Sequence, residues 1–254
     1  MAIVPSVDAK ALLAAAGHRP WPLPPGRWLL AQRWEDLAFV HYEVDPNALA
    51  RRLPDGLELD TWEGRAFVGV VPFEITFDRM FGRVAPPGAD RFCELNVRTY
   101  VRVGDAAGVY FFSLDAASRV AVWGGRTYYR LPYVHADMEI RRDGENVAYR
   151  CVRRGAPEVA FEGRYGPTGP VAPADPGSLE AFLTERYCLF TTDRRGRVYR
   201  CDIHHAPWPL APGCAEIERD TMLAPVGIEP QGPPTCVHVS RSIDVLIWPL
   251  RGVR

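Results

Sequence analysis

Gly125-Arg126-Thr127-Tyr128-Tyr129-Arg130-Leu131-Pro132-Tyr133-Val134-His135 lies near the middle of the 254-residue chain, and its reading decides the fold. Ahead of it, the apolar run 120–123 (Val-Ala-Val-Trp) has the look of a strand. Behind it, residues 136–140 alternate apolar and polar side chains. A Gly-Gly break, clustered aromatic and cationic side chains and a proline before a β-like run together predict a bend at the start of a strand. Proline has no N–H to give to a ladder, so Pro132 belongs at a strand start, an edge or a bulge. A bend of that kind re-aims the side chains on either side of it, and such bends often border sites.

Working outward, most of the chain reads as short β segments. In residues 94–103, Glu94, Asn96, Arg98, Tyr100 and Arg102 fall on one face and Leu95, Val97, Thr99, Val101 and Val103 on the other, a period of two. A turn at 104–108 leads into 109–114. Further strands are expected over 37–42, 57–60, 66–77, 146–154, 161–165, 197–205 and 236–248, the last with Asp244 among apolar residues. The type of 215–222 stays open. Helices are expected over 7–16, capped by Ser6 and closed by Gly17; after Asp45-Pro46; and after Ser178, with Leu179, Phe182, Leu183, Arg186 and Tyr187 at helical spacing. Residues 83–90, 166–177 and 207–213, rich in Pro and Gly, read as loops. Residues 1–33 are taken as a helix and a Pro/Trp-rich arm laid over the surface, and 34–254 as one domain. The fold class is α+β, mostly antiparallel β: a curved sheet with a few peripheral helices.

Composition narrows the function. A net charge of −1 supplies no bulk attraction to nucleic acid or to an anionic membrane, and neither is expected as a partner. No basic segment followed by an apolar run marks an export signal, and no apolar stretch reaches the roughly 18 residues of a membrane span. The six cysteines are scattered without a C-x-x-C pair, so reduced thiols and a cytoplasmic location are expected. Of the 30 basic residues, Lys10 is the only lysine.

Several segments together resemble a known family. They are Phe39-x-His41-Tyr42-x-Val44-Asp45-Pro46, Leu53-Pro54-x-Gly56-Leu57-Glu58-Leu59-Asp60, Gly69-Val70-Val71-Pro72-Phe73 and Glu94-Leu95-Asn96-Val97-Arg98-Thr99-Tyr100-Val101. To these add Phe111-Phe112-Ser113-Leu114-Asp115, Leu131-Pro132-Tyr133, Leu183-Thr184-Glu185-Arg186-Tyr187-Cys188 and Ile203-His204-His205-x-Pro207-Trp208-Pro209-Leu210. By these motifs, in this order from about residue 34 to 248, the chain is identified as a member of the YqjF-like group, DUF2071. That group is in turn similar to acetoacetate decarboxylase, and the resemblance implies a cone-like β-barrel around a buried cavity. In the decarboxylase a Gly-Arg precedes, by a fixed spacing, a Pro and then the lysine that forms a Schiff base with substrate. Here Gly125-Arg126 is followed at that spacing by Pro132, with Tyr133 in the lysine's place and Val134 in place of the second lysine, whose charge depresses the pKa of the first. A phenol supplies neither the attacking amine nor an imine as electron sink, so decarboxylase activity is not expected. The resemblance also matches Glu94 to a cavity carboxylate.

Each candidate carries two readings. Glu94 and Arg98 lie about 13 Å apart on one strand face: either an acid/base carboxylate with a guanidinium anchoring an anionic ligand group, or a solvated outer face. Tyr133, His135, Asp137 and Glu139 share a face after Pro132, either half of a metal site or a polar rim, with Tyr133 the better cavity candidate as a hydrogen-bond donor. His204 and His205 are adjacent and point to opposite faces, so they make a poor metal pair. Arg126, Tyr128 and Arg130 alternate in the same way, and Arg126 is a candidate partner for Asp115. The sequence thus nominates Glu94 and Tyr133 as catalytic candidates and Arg98, Arg126, Tyr128, His135 and His204 as ligand-binding ones, with no metal and no cofactor expected. The expected ligand is a small organic molecule bearing a carbonyl or carboxylate, and a homo-oligomer is compatible with the chain. Three functions stay open: a non-Schiff-base enzyme of isomerase, hydratase or lyase type acting on a carbonyl compound; a non-catalytic binder; or, with the cavity packed shut, an interaction protein working through its Trp/Pro arm.

Overall fold

Side-chain alternation governs the architecture. In the computed structural model, residues 6–80, 83 and 90–253 are described. Helix α1 (Ala9–Ala14) is followed by strand β1 (Leu30–Val44), helix α2 (Pro46–Ala50), β2 (Glu58–Leu59), β3 (Ala66–Met80), β4 (Arg91–Val103) and β5 (Ala106–Ala116). Helix α3 (Arg119–Tyr128) carries the chain to β6 (Tyr133–Asp143), β7 (Asn146–Arg153) and β8 (Ala160–Pro167). Helix α4 (Leu179–Thr184) precedes β9 (Cys188–Thr192), β10 (Val198–His204), β11 (Ala211–Asp220), β12 (Cys236–Ile247) and β13 (Arg251–Gly252). Pairs among the described strands are antiparallel except β5–β6 and β5–β9.

Strand pairings run β12–β1–β3–β4–β5–β9–β10 and return to β12 through Ile203↔Ile247 and His204↔Leu246. A second course leaves β5 through β6, β7, β8 and β11 and also comes back to β12. The two share β12, β1, β3, β4 and β5, so these strands have a core on each face. Phe39, Phe73, Phe92, Tyr100, Phe111 and Val245 belong to one core. Val40, Val70, Leu95, Val97, Tyr149 and Phe161 belong to the other. The face of β4 that carries Glu94 and Arg98 is therefore not a solvated one.

Two bulges set which residues face the first core. Between Glu35 and Val40 the β1–β3 register shifts, and Asp36 takes a left-handed φ of 49°. The extra residue reverses the phase, so Gln32 and Trp34 before it and Leu37 after it all line the same cavity. Asp36 is held there by Arg142, by Arg241 at 3.5 Å and by the Tyr165 hydroxyl, which donates to its carbonyl at 2.7 Å. On β5 the register passes from Ser113 to Phe111, skipping Phe112, which leaves Val109, Phe111, Leu114 and Ala116 all on the first core.

Several expectations are corrected. Residues 120–123 are part of helix α3, not a strand: Ser118 caps it by accepting from the Ala121 N–H, and a four-residue apolar run fits either element by periodicity. Gly124 and Gly125 sit within that helix rather than breaking it. The first helix is shorter than residues 7–16 and is capped by Asp8, not Ser6. The strand expected over 37–42 begins at Leu30. The open segment 215–222 falls mostly within β11. Asp244 pairs with Arg33 of β1 at 2.7 Å. The caps at Asp45 and Ser178 and the strand start after Pro132 stand as expected. Of the loop 83–90, residues 84–89 lie outside the described residues. The six cysteines are free thiols, four of them buried. Among the described residues, no helix is long and apolar enough to cross a membrane.

Asp115, expected to pair with Arg126, is taken instead by Arg153 of β7, whose Nε and Nη2 each donate to it at 2.8 Å. The carboxylate is fully buried, so losing the guanidinium would strand a charge between the two strand courses. Arg153→Met should therefore destabilise the protein by about 3 kcal/mol in urea unfolding, and adding Asp115→Asn should recover part of the loss.

Candidate functional site

The first core is hollow. A cavity of about 300 Å³ is enclosed by β1, β3, β4, β5, β9, β10 and helix α3, with a mainly aliphatic and aromatic lining. Helix α3 contributes Val120, Trp123 and Tyr128, and the two aromatics remain 59% and 53% exposed, which places them at the mouth. Their rings meet edge to face at 5.7 Å.

Glu94 and Tyr133 meet inside it. The Tyr133 hydroxyl donates to Glu94 Oε2 at 2.8 Å, and Glu94 is only 3% exposed. Two local features bring the phenol there. Arg126 Nε donates to the Tyr133 carbonyl at 2.7 Å, fixing the start of β6 against α3. Gly125 leaves room for the ring: a Cβ there would lie 2.3 Å from two ring carbons of Tyr133. Burial pushes the Glu94 carboxyl up to about 8; the bond from Tyr133 acts in the opposite direction, and the charge of Asp115 adds to the rise. Burial, and then Glu94 itself, raises Tyr133 well above the ordinary phenol value. Near neutral pH both groups favour their protonated forms.

Along β4 from Glu94, the same face presents Asn96 and Arg98 to the cavity. Arg98 is 7% exposed; its Nη2 donates to the Leu183 carbonyl at 3.0 Å, and the guanidinium stacks 5.0 Å from the Phe39 ring. Among the described residues no carboxylate lies in salt-bridge range of it, and its Nε has no partner. Nearby, Asp60 is already shared by Arg186 at 2.6 Å and Arg102 at 2.9 Å. Asn96 Oδ1, the Tyr129 hydroxyl and Trp208 Nε1 are also buried on the lining without hydrogen-bond partners. An apolar chamber with a protonated acid, an unpaired guanidinium and orphaned donors suits an oxygen-bearing organic molecule.

The structure divides the remaining candidates. Tyr128 stands at the mouth. Arg126 and His135 lie outside, around a shallow surface depression with Arg119. His204 turns to the N-terminal segment, its Nε2 2.8 Å from the Leu12 carbonyl, while His205 lines the cavity in its stead, held neutral by burial with its pKa lowered to about 4. Asp137 pairs with Arg154 and Glu139 with Arg141, the polar-rim reading of that face. Among the described residues no cluster of His, Cys, Asp or Glu could hold a metal ion. Arg186, read from the sequence as a helical position, turns into the lining because α4 ends at Thr184. Asn96 was visible in the alternation beside Glu94 and Arg98; Thr184 and Trp208 carried no comparable signal.

This fold is that of the acetoacetate decarboxylase-like proteins. MppR, an enduracididine biosynthesis enzyme solved with pyruvate, superposes with a TM-score of 0.64 at 15% identity over 93% of each chain. Acetoacetate decarboxylase from Legionella pneumophila gives 0.60 at 14% identity, over 99% of this chain and 98% of that one. An acetoacetate decarboxylase-like enzyme from Sphingomonas wittichii RW1 gives 0.55 at 16%, over 93% and 98%. At these identities the likeness is one of fold.

Within that class, the chain belongs to the DUF2071 family, described as an uncharacterized conserved protein, whose model matches residues 31–244. The uncharacterized protein YqjF of Bacillus subtilis (strain 168) is 43% identical over 230 residues, 90% of this chain and 94% of that protein.

Ionisation of Glu94 is opposed in the folded chain and free in the unfolded one. Its contribution to stability is thus intact below the ordinary value of 4.5 and is lost as pH rises through about 8. Glu94→Gln removes that loss: relative to the parent, the variant should gain roughly 2–4 kcal/mol between pH 5 and pH 9, read from urea midpoints across that range.

Proposed function

We propose that the protein encloses a small, oxygen-bearing organic molecule in the cavity and, as an enzyme, performs acid/base chemistry on a carbonyl compound without a covalent lysine intermediate. The observation that carries this reading is the buried Glu94, held in its acid form near neutral pH and bonded to Tyr133 in a cavity that also holds an unpaired guanidinium. A carboxylic acid whose pKa sits near the working pH can both give and take a proton, which is what enolisation, hydration or a lyase step requires. Glu94 would deliver its proton to the carbonyl oxygen or to a carbanion carbon, and the resulting carboxylate would remove the next proton, restoring the acid. The Tyr133 hydroxyl would hydrogen-bond the carboxylate formed in between, and Arg98 would hold an anionic group of the ligand at a distance from the reacting carbon.

Schiff-base chemistry has no nucleophile here. By the spacing of the resemblance the phenol of Tyr133 stands in the lysine's place, and the one lysine of the sequence, Lys10, is exposed on α1. MppR, solved with pyruvate, shares the scaffold, which favours carbonyl acids as a ligand class without assigning the reaction.

A second reading, a binder without turnover, is favoured by the mainly apolar lining, which offers few groups for proton transfer beyond Glu94 and Tyr133. The reading with a packed cavity is disfavoured by the volume of about 300 Å³.

Turnover in a panel of carbonyl compounds should fall at least a hundredfold in Glu94→Gln while ligand binding persists; binding without turnover in the parent would select the second reading. Borohydride added with acetoacetate should leave the cavity residues unmodified by mass spectrometry, and an adduct on any of them would overturn the argument from the missing lysines.

A further inference from the structure

The charged groups of the lining, Glu94, Arg98 and Arg186, lie from mid-β4 toward one end, although Gln32 stands opposite Phe77 at the other end and Phe111 opposite Arg98. In order, the cavity face of this strand presents Phe92, Glu94, Asn96 and Arg98. Cross-strand pairing extends each level. Phe92 lies opposite Ile75 of β3, itself opposite Trp34 of β1, and Phe77 and Met80 continue that end. At the other end, Arg98 is joined by Arg186 and Thr184 on the lining. Asp60, already bonded to Arg186 and Arg102, leaves Arg98 without a carboxylate in salt-bridge range among the described residues. The head of Arg98 leans toward Phe39 and Tyr100, at 5.0 and 5.8 Å, and Tyr100 is the next residue on this face beyond it, on the side away from Glu94.

That sorting constrains what can satisfy both ends. Four residues of strand separate Glu94 from Arg98, about 13 Å between their backbone positions. In a two- or three-carbon oxo acid the carboxylate and the carbonyl are neighbours, so such a molecule cannot engage the guanidinium and the Glu94–Tyr133 pair together, and it leaves the aromatic end empty. The volume, at the roughly 30 Å³ that a water occupies, accommodates about ten non-hydrogen atoms.

Resting on the reading of the cavity as a ligand site, we propose that its occupant is a monocarboxylic acid with an apolar acyl or aryl tail, of about eight carbons by that volume. Its carboxylate lies at Arg98, its middle passes Glu94 and Tyr133, and its tail fills the end formed by Phe92, Ile75, Phe77 and Met80. The buried Nε of Arg98 gains the acceptor it lacks. A hydroxyl or oxo group in mid-chain would meet Asn96 or Glu94, so functionalised acids should bind more tightly than plain ones of equal length.

Calorimetric titration with straight-chain carboxylates from butyrate to decanoate, with pyruvate, acetoacetate and octanol alongside, tests this. Affinity should rise about three- to fourfold with each methylene up to octanoate. Octanoate should exceed octanol at least tenfold, and pyruvate and acetoacetate should fall at least a hundredfold below octanoate. Arg98→Met should erase the preference for acid over alcohol while keeping the dependence on chain length. Should that variant not fold, Ile75→Phe, which shortens the apolar end, should weaken octanoate tenfold and spare butyrate. Pyruvate or acetoacetate binding as well as octanoate, or affinity independent of length, overturns the assignment to tailed acids and leaves the cavity a ligand site. Failure of every probe to bind overturns both.

Discussion

Five strands that carry a core on each face are the constraint on which the rest depends. Because β12, β1, β3, β4 and β5 are shared by two cores, few of their polar groups can turn to water; Arg91 and Arg102 on β4 and Arg241 and Ser242 on β12 do so. Leu95 and Val97 occupy one side of β4, and the period of two then commits Glu94, Asn96 and Arg98 to the other. A buried polar group on such a strand must find a partner within the protein or in a bound molecule. Asp115 finds Arg153 and Asp244 finds Arg33. Glu94 finds only a phenol, and Arg98 a carbonyl and two aromatic faces. Asn96 Oδ1 and Arg98 Nε, on the cavity, are among the buried polar atoms left without a partner in the described residues.

Positions in the chamber are then tuned by departures from regularity. Without the bulge at Asp36, Leu37 would leave the lining that Gln32 and Trp34 share, and without the one at Phe112, Phe111 and Leu114 could not both face inward. Gly125 has a comparable role through its missing side chain, since the ring of Tyr133 occupies the space a Cβ would need. These are places where the chain gives up local regularity to aim side chains, as is common beside functional sites.

The sequence was legible where a single physical rule acts alone. Alternation over 94–103, caps at Asp45 and Ser178 and the proline ahead of Tyr133 each name one outcome, and each is found. It misled where two rules compete. Val120 to Trp123 is too short for periodicity to choose, and Gly124-Gly125, which argues for a break, instead answers to the packing of Tyr133. Alternation alone could not say which face of β4 was inward, because both are buried; the resemblance to a cavity carboxylate was what pointed Glu94 in. The pair His204-His205 was correctly expected to split, yet which member faced the cavity depends on β10 docking against β12, a contact between distant segments. Partner choice for Asp115 was likewise decided by β7, thirty-eight residues on.

The pairing of β1 with β12 has a consequence for how the protein is made. Leu30 lies opposite Ile247, so the shared wall of both cores is completed only when residues 236–247 are present. Topologies dominated by such distant contacts fold slowly, because loop closure must precede the contacts that reward it. During synthesis, β1, β3, β4 and β5 would emerge with one margin of their sheet unpaired until residues 236–247 arrive. The nascent chain therefore passes through an interval in which the β1 margin is open to other strands, the kind of exposed edge that favours misassembly.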